Sequence, residues 1–262
     1  YTLAMSVCLS HINEYSLTCC SSIHDIPSEI NAATHSAVSD TCLLLVNNGA
    51  DRLFLFDLSL LSFQRNDISW PSDTYGLIRD ICWAKYINSF LILGEDVLCS
   101  YSPISNQLII LLNSPSFNDR FWSLAVLGCD TYILYRCDTL YRYCLPSWAL
   151  TRSWSRTDLI NTENKDQFIE QIRANSFSGI IALLIRLKYN RQWRIDLFDR
   201  TMRKLYSGES IRMASTYPTI ILQPYGQHGQ WTLMNENYIW ILNAKARFIE
   251  RYFRELKEKM IQ

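Results

Sequence analysis

Glycine is scarce in this chain: 262 residues contain 8, alongside 7 prolines. Any fold rich in tight turns must therefore find other residues for them. Standard catalytic signatures are missing too. There is no Gly-x-Ser-x-Gly elbow, no phosphate-binding Gly-x-x-x-x-Gly-Lys loop, no dinucleotide glycine fingerprint, no His-Glu-x-x-His and no Cys-x-x-Cys. Histidine numbers 4, three of them within the first 35 residues, so a His-dependent nucleophile in the body of the chain would have to use His228. No apolar run reaches the roughly 18–20 residues of a membrane span. The longest, around Gly179–Ile185, is stopped by Arg186. The chain opens on Tyr1, as a fragment or processed product would, and "YTLAMSVCLS" carries no basic leader of a secretion signal.

Asn-x-Ser/Thr acceptors are also absent, and the 9 cysteines do not form a disulfide framework. Their number is odd, their spacing is irregular, and Cys42, Cys82, Cys99 and Cys137 lie in or beside apolar runs, where they read as small buried hydrophobes. These features predict a reducing, cytoplasmic setting. What the chain does have is apolar surface. Hydrophobic residues make up 48% and aromatics 13%, which excludes a disordered chain and favours strands. Net charge is zero, but residues 1–150 hold 7 Lys/Arg against 14 Asp/Glu, and residues 151–262 hold 18 against 11. An interaction surface and the mutual attraction of two sectors of one domain both fit that asymmetry; the second is the simpler account.

A repeat organises the chain. The phrase "TLYRY" at 139–143 echoes "VLCSY" at 97–101, and the same third-strand anchor recurs as "LFLF" at 53–56, "IDLF" at 195–198 and "IWIL" at 239–242. The anchors at 53, 98, 140, 195 and 239 are 45, 42, 55 and 44 residues apart. Before each stands a second apolar run: "CLLLV" at 42–46, "FLILG" at 90–94, "YILYR" at 132–136, "IIALLIRL" at 180–187 and "WTLM" at 231–234. After four of them comes a third, "LLSF" at 60–63, "LIILL" at 108–112, "WALT" at 148–151 and "RKLY" at 203–206. In the middle units a fourth element leads, at 77–84, 121–128 and 168–175. Runs this short suit strands, and in "RQWRIDLFD" Trp193, Ile195 and Leu197 alternate with Arg194 and Asp196. Polar links at 66–73, 113–119 and 156–167 are expected to join one unit to the next.

Four short strands every 40–50 residues or so define a propeller blade. The pattern resembles the WD-repeat-like β-propellers, irregular families included, and "IRDICWAKYINSFLILGEDVLCSYSP" at 78–103 carries the likeness best. Gly-His and Trp-Asp dipeptides are both absent, a departure from regular WD repeats. The expected fold is all-β, a propeller of four-stranded antiparallel blades with about five visible and six or seven in a complete protein. Residues 1–39 are expected to form an irregular segment or partial blade, 40–250 the propeller, and 251–262 a tail with a candidate helix.

Candidate sites are few. Cys8, His11 and Cys19 have zinc-ligating chemistry, but Pro27, Ser28, Glu29 and Ile30 stand where further ligands would follow, so no metal or cofactor is expected. Residues 186–204 form a basic hairpin in which Arg186, Lys188, Arg191 and Arg194 make a candidate patch for an anionic partner, with Tyr189, Trp193 and Phe198 interleaved. A solvated blade face explains the same alternation. Asp57 and Asp199 read as turn supports, and Trp83 and Trp122 as fillers between blades. The expected function is a non-catalytic scaffold that binds other proteins through its loops, with no membrane span and nucleic acid disfavoured. The alternatives are a propeller hydrolase or lyase using a central channel, and binding of RNA or another anionic polymer through the 186–204 hairpin.

Overall fold

The computed structural model describes residues 35–47, 51–58, 65–116, 119–136, 139–160, 167–187, 192–212, 221–225, 229–234 and 238–253. Its strands form five antiparallel sheets, each built on four strands in chain order, and the fold class is a five-bladed β-propeller. The chain divides into two compact units, residues 1–122 and 123–262.

The first unit holds two blades. Blade one consists of β1 (His35–Val38), β2 (Cys42–Asn47), β3 (Arg52–Asp57) and β4 (Arg65–Ser69). Blade two consists of β5 (Ile78–Ala84), β6 (Ser89–Gly94), β7 (Val97–Ser102) and β8 (Gln107–Asn113). Leu44, Val46 and Leu53 of blade one share a core with Ile81, Phe90, Ile92 and Cys99 of blade two. Leu43, Leu45, Phe54 and Phe56 are buried in a second cluster. Strand side chains alternate between sheet faces, so the two clusters put both faces of β2 and β3 out of water. That explains why "CLLLV" reads as a continuous apolar run, whereas the outer strand β8 is mostly exposed.

The second unit holds most of blade three, with β9 (Phe121–Leu127), β10 (Asp130–Tyr135), β11 (Thr139–Cys144) and β12 (Ala149–Ser155). Blade four has β13 (Gln167–Asn175), β14 (Ile180–Leu187), β15 (Gln192–Phe198) and β16 (Lys204–Ser207), and the short β17 (Ile211–Arg212) also pairs with β15. Blade five has β18 (Ile221–Tyr225), β19 (Gln230–Met234), β20 (Tyr238–Leu242) and β21 (Phe248–Phe253). Leu184, Trp193, Ile195 and Leu197 of blade four pack with Leu222, Trp231, Leu233 and Trp240 of blade five. The predicted alternation of "RQWRIDLFD" is thus real, with Trp193, Ile195 and Leu197 in one cluster.

Three expectations change. The stretch 66–73, read as a link, contains most of β4, whose Leu53↔Ile68 register completes blade one. It looked like a loop because this outer strand leaves most of its positions in water, and only Ile68 and the following Trp70 enter the core. The first blade also begins before residue 40, since β1 pairs with β2 from His35↔Val46 onward. Residues 251–253 lie within β21, where Arg251 pairs with Trp240. The segment 60–63, residues 1–34 of the expected irregular segment or partial blade, and the candidate helix beyond residue 253 lie outside the described residues.

The glycine shortage is resolved at the turns. Left-handed backbone falls to Asp51, Asn88 and Asn106, and also to Trp148, Met202 and Ala246. Asn and Asp tolerate that region because their short side chains bond locally. Glycine is retained where space demands it. A Cβ on Gly94 would stand 2.5 Å from the Tyr75 carbonyl oxygen and 2.8 Å from the Trp70 ring.

Core burial sets the stability of each unit. Phe90 is 0% exposed, so Phe90→Ala is expected to cost about 3–5 kcal/mol in urea unfolding. Ile110→Ala on the outer strand, where the side chain is 46% exposed, is expected to stay within about 0.5 kcal/mol.

Candidate functional site

The basic hairpin binds its own blade. Arg186 Nε donates to Glu170 Oε1 at 2.5 Å, and its guanidinium lies 5.2 Å from the Phe168 ring centre. Arg194 Nε donates to Asp196 Oδ1 at 2.8 Å, and Lys204 Nζ reaches Asp196 Oδ2 at 2.9 Å. Asp196 is 0% exposed, and a carboxylate taken out of water needs such partners. Two further cations of this stretch are committed in the same way, Arg200 to Asp130 at 2.8 Å and Arg203 to Asp199 at 3.1 Å. Arg200 also offers its carbonyl oxygen to the Tyr132 hydroxyl at 2.7 Å, tying blade four to blade three. Lys188 and Arg191 lie outside the described residues. Asp199 supports its turn, accepting from the backbone N–H groups of Thr201 and Arg203.

A second polar cluster, not anticipated from the sequence, gathers at one end of blade two. Glu95, on the β6–β7 turn, accepts from Arg79 and, at 2.7 Å, from Arg120 Nη1. Asp96 Oδ1 lies 3.2 Å from Arg120 Nε, and Arg79 stacks over the Trp122 ring at 5.1 Å. The same turn is held by backbone bonds from Glu95 to Leu77, Asp96 to Tyr75, Ser114 to Asp96 and Phe121 to Glu95. A β-bulge between Ile78 and Asp80 turns Arg79 out of register toward this cluster. Two arginines and two carboxylates cancel in charge, so the arrangement works as a clasp between the blade and its entry and exit links. Only spatial proximity assembles it, since Arg79 and Arg120 are 41 positions apart. Glu95→Gln removes the carboxylate that Arg79 and Arg120 share, leaving Asp96 to Arg120, and is expected to cost about 1–3 kcal/mol in urea unfolding.

Two of the described thiols are shifted away from reactivity. Cys42, Cys82, Cys99, Cys129 and Cys144 are free cysteines. Burial pushes the Cys99 thiol from its ordinary 9.0 up to about 12, and burial raises Cys144 as well; reactive cysteines need the opposite shift. Among the described residues no group of three or more His, Cys, Asp or Glu is placed to hold a metal ion. Cys8, His11, Cys19 and His228 lie outside them.

Among the described residues the three most exposed large apolar side chains sit on turns, and most of the others lie on outer strands. Tyr86, 59% exposed, sits on the β5–β6 turn, and Ile104, 88% exposed, on the β7–β8 turn. Turns one and three of an antiparallel sheet lie at the same end, so these two residues share one edge of blade two. Their turns are braced. Asn106 accepts from the Tyr101 hydroxyl at 2.5 Å and from Asn66 at 3.0 Å, and Ser89 Oγ donates to the Ile87 carbonyl at 3.1 Å. In blade four Phe177, 74% exposed, rides a turn in which Asn175 Oδ1 accepts from the N–H groups of Phe177 and Ser178. Trp83 instead packs on Phe90 at 4.8 Å between ring centres, and Leu140 is 0% exposed, so these aromatic and anchor positions build the core.

No protein-family model and no curated protein sequence matches the chain. Solved structures do. Hydrazine synthase of Kuenenia stuttgartiensis aligns with a TM-score of 0.58 at 9% identity, over 85% of this chain and 66% of that one. A streptogramin B lyase aligns with a TM-score of 0.58 at 11% identity, over 87% of this chain and 70% of the other. The chain thus spans about two thirds of each. Identities this low carry the fold, and the class they and the blades define is the β-propeller.

The buried thiol gives a pH signature. Between pH 9 and about 12 the unfolded state releases a proton that folded Cys99 retains, so stability is expected to fall as pH rises through this window. The slope from one such group approaches about 1.4 kcal/mol per pH unit. Urea midpoints from pH 8.5 to 11 measure it, and Cys99→Val is expected to flatten the decline.

Proposed function

We propose that the chain is a non-catalytic protein-interaction scaffold of the WD-repeat-like kind, working in the reducing conditions of the cytoplasm. The observation that supports it most is the set of large apolar side chains, Ile104, Tyr86 and Phe177, at turns that hydrogen bonds hold rigid. A rigid turn loses little conformational freedom on binding, and a protruding aliphatic or aromatic side chain supplies the area that anchors an interface. The carboxylate pairing of Arg186, Arg194, Arg200 and Arg203 in the basic hairpin, and the raised Cys99 and Cys144 thiols, agree with a binding role. Five free cysteines agree with the compartment. No helix among the described residues is long and apolar enough to cross a membrane.

A propeller enzyme is the second reading, favoured by the printed names of the two similar structures, a synthase and a lyase. Their likeness to this chain extends to fold. Binding of an anionic polymer through the 186–204 hairpin would have to use Lys188 and Arg191, because Arg186 and Arg194 already hold carboxylates.

Quantitative affinity capture from the protein's own cells tests the scaffold. Tyr86→Ser with Ile104→Ser should lower recovery of partners at least about tenfold while the unfolding midpoint is unchanged. Full recovery by this double variant and by Phe177→Ser would remove the support.

A further inference from the structure

One open groove in the second unit is lined by both apolar and charged groups. It has a volume of about 490 Å³ and lies between the β16–β17 connection and blade five. Its floor is Trp240, Leu242 and Ala246, all nearly or wholly buried, with Ile211 beside them. Phe248, 46% exposed, stands at the side, and Glu209, Arg212 and Arg251 are charged lining residues. The wall is built by a close approach of backbones. Gly208 N–H bonds the Ile195 carbonyl at 2.9 Å, and a Cβ on Gly208 would meet that oxygen at 2.5 Å and the Ala246 carbonyl oxygen at 2.9 Å. Glycine therefore lets the chain leave β16 tightly and return as β17, which leaves the groove beside Ala246. The left-handed backbone of Ala246, with φ 56°, turns the β20–β21 connection on the other side.

Charge distinguishes this surface from the basic hairpin. The framing stretches 200–212 and 243–251 contain seven Lys/Arg against two Asp/Glu. Arg200, Arg203 and Lys204 are held by Asp130, Asp199 and Asp196. Arg212 and Arg247 are exposed and have no carboxylate partner among the described residues. Leu205, Tyr206 and Ile249 extend the exposed apolar surface beside them, at 36%, 42% and 48% exposure.

We propose that this groove binds an extended acidic peptide, seating one of its aliphatic or aromatic side chains against the accessible Phe248 and Ile211, above the buried Trp240, Leu242 and Ala246, and pairing its carboxylates with Arg212 and the neighbouring Arg247. The volume falls within the range of natural ligand sites and accommodates one large side chain with adjoining backbone. Guanidinium groups at the rim of an apolar slot match carboxylates flanking a hydrophobic residue. Nucleic acid fits less well. Trp240 is only 4% exposed and offers no open ring face for a base, and Glu209 would repel a phosphate backbone. The assignment rests on the scaffold reading and gives it a partner chemistry at a different place from the turn tips of blade two.

A random dodecapeptide display library panned on the purified chain tests it, with recovered peptides resynthesised carrying fluorescein and titrated by anisotropy. Enriched sequences should place Asp or Glu beside Leu, Phe or Trp, and binding should weaken with salt. Arg212→Glu and Phe248→Asp should each weaken binding at least tenfold with unchanged unfolding midpoints, and Arg136→Glu on the β10–β11 turn should leave it within twofold. Failure to enrich acidic peptides, or affinities indifferent to Arg212→Glu and Arg247→Glu, overturns the proposal. So does tighter, Arg212-dependent binding of an oligouridine or of vesicles containing phosphatidylserine. If the groove fails while Tyr86→Ser with Ile104→Ser still strips partners in affinity capture, the groove assignment is wrong and the scaffold reading stands.

Discussion

The structure depends on burying both faces of the inner strands. A sheet such as β1–β4 carries Leu44 and Val46 on one face and Leu43 and Leu45 on the other. Left alone, it would expose one of those faces to water at about 25 cal/mol for every Å². It is stable only with something packed on each side, so the blade cannot be an independent folding unit. Within the first unit this need joins Leu44 and Leu53 to Phe90 and Ile92. Within the second it joins Leu184 and Ile195 to Trp231 and Leu233.

Polar groups follow from that constraint. Charges near the packed strands must be neutralised locally, which is why Asp196 takes two cations and Glu95 two arginines. Groups committed in this way stabilise the blades and are poorly available to a ligand. Free chemistry is displaced to turn tips and outer edges, where Ile104 protrudes and Arg212 has no carboxylate partner among the described residues. Side chains at the rim can therefore vary without disturbing the packed interior.

The repeat was legible because strand burial leaves a periodic trace. Each anchor from "LFLF" to "IWIL" falls on the third strand of a blade, and each apolar run before it on the second. Outer strands were harder to read. Residues 65–69 expose Asn66, Asp67 and Ser69, so their composition matches a loop even though they pair along β3. The Glu95 clasp was invisible, because Arg79 and Arg120 are distant in sequence and a bulge decides where Arg79 points. Arg186 and Arg194 show the reverse: clustering along the chain suggested a shared external surface, but Arg186 pairs with Glu170 on the adjacent strand and Arg194 with Asp196 two residues along its own strand.

Hydrophobic periodicity by itself determined the inner strands, their repeat spacing and the blade class, since alternation and spacing are local properties written residue by residue. Which charges are consumed, which turns protrude and where a groove opens were decided only by tertiary structure. Those outcomes depend on contacts between residues far apart in the chain, such as Gly208 against Ala246, and on whether a side chain finds a partner there.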